Sequence, residues 1–167
     1  MKRAMRRVTC ANTIFSLLSW RRGVTDSRLD LSSLRNAVAS LEDSLDVVSD
    51  DSWFNQQSAK LQNTLIAGII KNFEFVYEIG VKMLRRQLEA ESDSPEEVDE
   101  TNFREMLRTA GEKGLVADVE AWFKYRQMRN ITAHTYDHGK ARQVYQETLG
   151  FIGDARALLQ KLEDRNG

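Results

Sequence analysis

LIAGIIKNFEFVYEIGVKML, Leu65 to Leu84, is the stretch on which the fold turns. Leu65, Ile69, Phe73, Val76, Gly80, Met83 and Leu84 recur at spacings of three and four, which places one face of an α-helix against a core. No strand-like alternation competes with it. Followed in both directions, the pattern predicts a long helix from about Asn55 to Glu89, with Leu61 also turned inward. Gly68 and Gly80 lower helix propensity, and each suits the close approach of a neighbouring helix.

Working outward, Leu31, Leu34, Val38, Leu41, Leu45 and Val48 form an earlier apolar stripe that SDDS at 49–52 interrupts. After the long helix comes the acidic connector EAESDSPEEVDE. Within it Ser94 reads as an N-cap, Pro95 as the first helical residue and Glu97 as the closing member of a capping box. The third helix is expected to continue through Phe103, Met106, Leu107 and Ala110 to GEKG. Asp118 suits the cap of a fourth helix, carrying Trp122, Phe123, Tyr125, Arg126 and Arg129 and ending between His134 and Gly139. A fifth starts near Lys140, with Val144, Tyr145, Leu149, Ile152, Ala155, Leu158, Leu159 and Leu162 as its apolar face. The pattern predicts an all-α, antiparallel bundle of four to five helices over residues 29–163, with a short tail at 164–167.

The bulk properties exclude several classes. With 41% hydrophobic residues, 29% charged and one proline, the chain is expected to be globular and not disordered. The single cysteine, Cys10, allows no internal disulfide, and no Cys/His cluster has metal-ligand spacing. Both points suggest a reducing, cytoplasmic setting. No apolar run has the length of a bilayer span, so no membrane role is expected.

Charge is unevenly spread. Residues 1–28 hold seven basic residues and one acid, a net +6, whereas the remaining 17 basic and 24 acidic residues leave −7. The first 28 residues pair this basic character with a short apolar stretch, as a weak secretory signal or an interfacial helix would, but lack the small-x-small cleavage pattern. They read as a poorly ordered appendage, or as upstream sequence included by an early start codon. The acidic remainder offers no long-range attraction for nucleic acid, so RNA chemistry would need a locally basic cleft or a partner.

The chemistry-bearing segment is RNITAHTYD, Arg129 to Asp137. At about 100° per residue, Arg126, Asn130 and His134 fall on one line of a continued helix, with Arg129 beside it and Trp122 and Phe123 on the same side. A histidine moves protons near neutral pH. An arginine grips phosphate through parallel hydrogen bonds and stabilises charge added in a phosphoryl transition state. Asparagine orients either group, and Tyr136 offers a phenol. No acid cluster for Mg²⁺ accompanies them, so a site here is expected to act without metal or other cofactor. Spacing alone nevertheless favours the polar end of an ordinary helix, with His134 capping carbonyls. His138, in HGK, reads as part of a turn.

RNITAHTYD resembles the Arg-x4-His-x-Tyr variant of the HEPN-domain motif, with Arg129, Asn130, His134 and Tyr136 in its places. Phe73-Glu74-Phe75-Val76-Tyr77-Glu78, Ser94-Pro95, Gly114-Leu115 and Trp122 are similar to features of one branch, the nucleotidyltransferase substrate-binding proteins. The likeness covers about residues 29–160. VDETN, between the Ser-Pro start and FREMLRTAGEKGL, departs from it. The resemblance implies a HEPN-like bundle that binds a minimal nucleotidyltransferase encoded nearby, as a homodimer within a hetero-oligomer. It implies a metal-independent ribonuclease toxin with Arg129, Asn130 and His134 catalytic and Tyr136 adenylylated by the partner. Arg126 and Trp122 would contact substrate. The alternative within the same branch is a non-catalytic subunit that presents substrate or nucleotide to the transferase.

Overall fold

The computed structural model describes residues 28–134 and 137–167, and helix is the only regular secondary structure among them. The basic appendage expected at the N-terminus lies almost wholly outside the described residues. Five principal helices form the bundle: α1 (Ser32–Asp46), α3 (Ala59–Ala90), α5 (Phe103–Glu112), α6 (Val119–Ile131) and α7 (His138–Asn166). Two six-residue helices, α2 (Asp51–Gln56) and α4 (Pro95–Glu100), are additions to the expected plan.

Capping residues explain where the chain is divided. Asp50 accepts a hydrogen bond from the Trp53 amide (3.0 Å) and starts α2, and Ser58 accepts from Leu61 (3.3 Å) and restarts the chain as α3. The long helix therefore begins at Ala59 and not near Asn55. Gln62, almost fully buried, donates to the carbonyls of Phe54 (3.1 Å) and Gln57 (3.0 Å), which satisfies the end of α2. Pro95 opens α4 as expected, but the Ser94 side chain makes no capping hydrogen bond to the described residues. The third helix is also split. Asn102 accepts from the amides of Arg104 and Glu105 and nucleates α5 afresh, while Arg85 of α3 donates to the Val98 carbonyl of α4 (2.9 Å). The VDETN departure is thus the second half of the short helix α4 and the two residues that join it to α5.

GEKG ends α5 through Gly114, whose φ of +72° is accessible to glycine without strain. The Leu115 amide then closes back on the Ala110 carbonyl (2.9 Å). Asp118 accepts from Ala121 (3.0 Å) at the start of α6, as expected. Asp137 accepts from the Gly139 and Lys140 amides, so α7 starts at His138, two residues before the expected position.

Cross-bundle contacts fix the directions. Asn72 reaches the Ser40 carbonyl and Leu34 lies over Gly80, so α1 runs against α3. Gln62 bonds Arg142 and Gln87 bonds Asn166, so α3 and α7 run parallel, with α1 and α6 opposed to both. The α4–α6 excursion returns the chain to the start of α3 and allows this. At the centre, Phe151 meets Phe73 at 4.9 Å and Tyr125 at 4.8 Å between ring centroids, both edge-on. A Cβ on Gly80 would lie 3.5–3.9 Å from Leu158, Trp122 and Leu34, so this glycine marks a four-helix crossing. Gly68 meets no such neighbour among the described residues, contrary to expectation.

Two expected core residues are exposed: Leu61 (40%) and Leu149 (54%). Their neighbours take the inward positions. Gln62 is turned in to cap α2, and Thr148, fully buried, satisfies its hydroxyl on the Val144 carbonyl (2.8 Å). No helix among the described residues is long and apolar enough to cross a membrane.

Candidate functional site

The C-terminal half of α6 lies along the middle of α3 and brings the two sequence motifs together. Arg129 Nε and Nη2 donate to Glu78 Oε1 at 2.8 and 2.6 Å. Its Nη1 faces Glu74 Oε1 at 3.2 Å and donates to the Thr132 hydroxyl at 3.1 Å. That hydroxyl donates in turn to Glu74 Oε1 (2.5 Å), and Lys71 Nζ donates to Glu74 Oε2 (2.9 Å). Glu74 and Glu78 are one helical turn apart, so both carboxylates project to the same side of α3.

The electrostatics follow from this geometry. Burial alone would push the Glu74 carboxyl up. Hydrogen bonds from Thr132 and Lys71, with the charges of Arg129 and Lys71, outweigh it and hold the group below the usual glutamate range. The hydrogen bond to Glu78 raises the Arg129 guanidinium further, so it is a permanent cation. Tyr77, beneath them, is pushed up to about 12 by burial despite the charges of Arg126 and Arg129, and stays a neutral phenol.

The other expected site residues are not all brought together. Trp122 is 2% exposed, edge-on to Tyr125 and Phe151 and stacked on Tyr77. It packs the core and presents no open face to a substrate, which corrects the role expected for it. Arg126 is exposed and lies over the Phe103 ring at 4.2 Å, and Arg104 lies over Phe123 at 4.9 Å. Asn130 is exposed next to Arg129. The α-helix stops at Ile131 and tightens into a 3₁₀ turn, Thr132–His134, with Thr132 buried at its start. The continued α-helix expected through His134 therefore ends three residues short of it. The His134 imidazole and Tyr136 lie outside the described residues.

Sequence reasoning missed Glu74, Glu78, Thr132 and Lys71 as partners of the motif. A signal existed: Glu74 and Glu78 stand i, i+4 on the face opposite Phe73 and Val76, beside a motif containing an arginine. Elsewhere, a shallow concavity of about 460 Å³ lies between the first turns of α3 and α7, lined by Lys60, Asn63, Thr64, Ala67, His138 and Ala141 among others. Arg126, Arg129 and Asn130 do not line it, so it is no part of the motif cluster.

Comparison with known proteins identifies the family. Residues 29–164 match the model of a family described as nucleotidyltransferase substrate binding protein like. The chain is 42% identical over 139 residues, 83% of its length and 95% of the relative's, to a protein named Probable ribonuclease HepT from Haemophilus influenzae. A solved structure from Haemophilus influenzae, described as revealing the fold of a substrate binding domain of a nucleotidyltransferase, superposes with a TM-score of 0.77 at 42% identity. That superposition covers 80% of this chain and 99% of the other. At that identity and coverage, the chain belongs to the nucleotidyltransferase substrate binding protein like family.

Proposed function

We propose that this protein is a ribonuclease of the HEPN type, encoded with and controlled by a minimal nucleotidyltransferase. The observation that carries the reading is a permanently charged, one-third exposed Arg129 fixed at the end of α6, immediately before the turn that contains His134. In this reading the RNA 2′-hydroxyl attacks the adjacent phosphorus and its proton passes to His134. Arg129 stabilises the charge of the phosphorane-like state, and the 5′-oxygen leaves with the proton that His134 gives back. The products carry a 2′,3′-cyclic phosphate and a free 5′-hydroxyl. The nucleophile belongs to the substrate, so the step requires no metal. Asn130 orients His134 or the phosphate, and Arg126 offers a further contact.

A homodimer would set two motifs across one cleft and double the basic groups facing the RNA. The transferase would act as antitoxin by adenylylating Tyr136, placing bulk and negative charge beside the cleft. The name of the Haemophilus relative supports the ribonuclease reading. Purified full-length protein should cleave RNA without added metal, and His134→Ala should abolish both cleavage and growth arrest. Undiminished toxicity of that variant would overturn the reading.

A second reading has its own support. Glu78 and Glu74 neutralise Arg129 in the isolated chain, which suits a subunit that only presents substrate to the transferase. It predicts a stable hetero-complex, nucleotide binding lost in Arg129→Ala and no RNA cleavage. Intact-mass measurement after co-expression separates the two, since added AMP on Tyr136 belongs to the first.

A further inference from the structure

Glu74 and Glu78 both face Arg129, but they are held very differently. Glu74 has 14% of its side chain exposed and accepts from Thr132 and Lys71 besides facing Arg129. Glu78 is 52% exposed, and both guanidinium N–H groups that reach it converge on one oxygen, Oε1. A planar guanidinium edge is matched best by two acceptor oxygens side by side. A carboxylate using one oxygen leaves that match unmade, whereas a phosphodiester offers two non-bridging oxygens at the required separation. An ion pair this exposed is also weak and readily exchanged.

We infer that Glu78 is a built-in counter-ion that occupies the anion seat of Arg129 until an RNA phosphodiester displaces it, while Glu74 positions the guanidinium throughout. The inference rests on the reading of Arg129 as the phosphate-binding arginine. It gives the two acids opposite effects. Removing the Glu78 charge opens the seat. Removing the Glu74 charge weakens the acceptor of the Thr132 hydroxyl and loosens the guanidinium's remaining anchor. The arrangement also explains how an acidic protein keeps an exposed arginine from binding any passing anion: the ligand must outcompete a resident carboxylate.

The test uses the full chain and a short single-stranded RNA with 2′-O-methyl riboses, which cannot be cleaved, with binding followed by fluorescence anisotropy. Glu78→Gln should tighten binding about fivefold. Glu74→Gln should weaken it. In an Arg129→Ala background the Glu78→Gln gain should vanish. Should the gain persist there, Glu78 is acting as general negative charge near the RNA and the inference is overturned. If Arg129→Ala weakens binding but Glu78→Gln leaves it unchanged or weaker, the inference fails and the Arg129 assignment stands. If Arg129→Ala binds like the parent, the assignment itself fails and takes the inference with it. Thermal melting of each variant, with Arg129→Lys as the milder change, excludes misfolding as the cause.

Discussion

At the C-terminal end of α3, Glu91 accepts from Arg165 (2.6 Å), Gln87 (2.9 Å) and Lys113 (3.3 Å); near the middle of the same helix, Glu78 accepts two N–H groups of Arg129. Both clusters join a glutamate of α3 to a cation from a later helix. They differ in what else the cation does. Arg165 also donates to the Lys113 carbonyl (2.7 Å), and Lys113 donates to the Glu91 carbonyl (3.3 Å), so these charges close the exposed ends of α5 and α3. Leu29 and Asn166 join the same network and tie the first of the described residues to the last helix. The hydrogen bonds of the Arg129 guanidinium to described residues go to side chains only. A guanidinium that satisfies backbone carbonyls is fixed by their need for a donor. One held by an exposed carboxylate can change partners at small cost.

Substitution of each arginine tests that distinction most severely. Arg129→Ala should reduce RNA cleavage on the order of a hundredfold or more, read by rate on a defined oligonucleotide, with little change in melting temperature. Arg165→Ala should do the reverse, lowering stability by about 1–2 kcal/mol in denaturant melts and leaving cleavage intact. If the two variants behave alike, the distinction collapses.

Thr132→Val sharpens the comparison, because it keeps shape while deleting the hydroxyl that links Arg129 to Glu74. It should cost about 1 kcal/mol of stability and also slow cleavage several-fold, measured on one preparation. A loss of stability alone would make this hydroxyl purely structural.

Acid titration compares the clusters through their carboxylates. Burial opposes the charged form of both Glu74 and Glu91, yet hydrogen bonds and neighbouring cations hold both below the ordinary value of 4.5. A folded-state pKa below the unfolded one gives stability that is present above pH 4.5 and lost as the pH falls through the folded value. Melting temperature should therefore decline below pH 4.5, and Glu91→Gln should flatten part of that decline. An unchanged profile would show that the Glu91 network contributes no acid sensitivity.

The smallest effect is expected at Gly68, which meets no neighbour among the described residues. Gly68→Ala should stabilise the isolated chain by about 0.5–1 kcal/mol in denaturant melts. Destabilisation would reveal a close contact on this face of α3.

The principal helices were legible because their apolar stripes are periodic and their ends carry strong local chemistry: Asp118 before α6, Gly114 after α5. The two short helices were less so. A six-residue helix spans too few turns to show a period, and its bounds depend on Asp50 capping α2 and on Ser58 and Asn102 restarting the chain as α3 and α5. Leu61 and Leu149 misled because polar neighbours, Gln62 and Thr148, found partners that let them replace a leucine inside. Trp122 misled in the opposite way. It shares a helical face with the motif, but the aromatic rings of α3 and α7 close over it.

Local pattern was enough for an all-helical chain, several of its helix ends and the presence of an Arg, Asn, His and Tyr motif after Met128. These depend on interactions within a few residues, which local pattern records. That Arg129 meets Glu78, 51 residues earlier, and that Arg165 meets Glu91, 74 residues earlier, emerged only from the packed bundle. Those pairings follow from the register and direction with which α6 and α7 lie against α3. Packing of Gly80, Trp122 and Phe151 sets that register, and no local pattern encodes it.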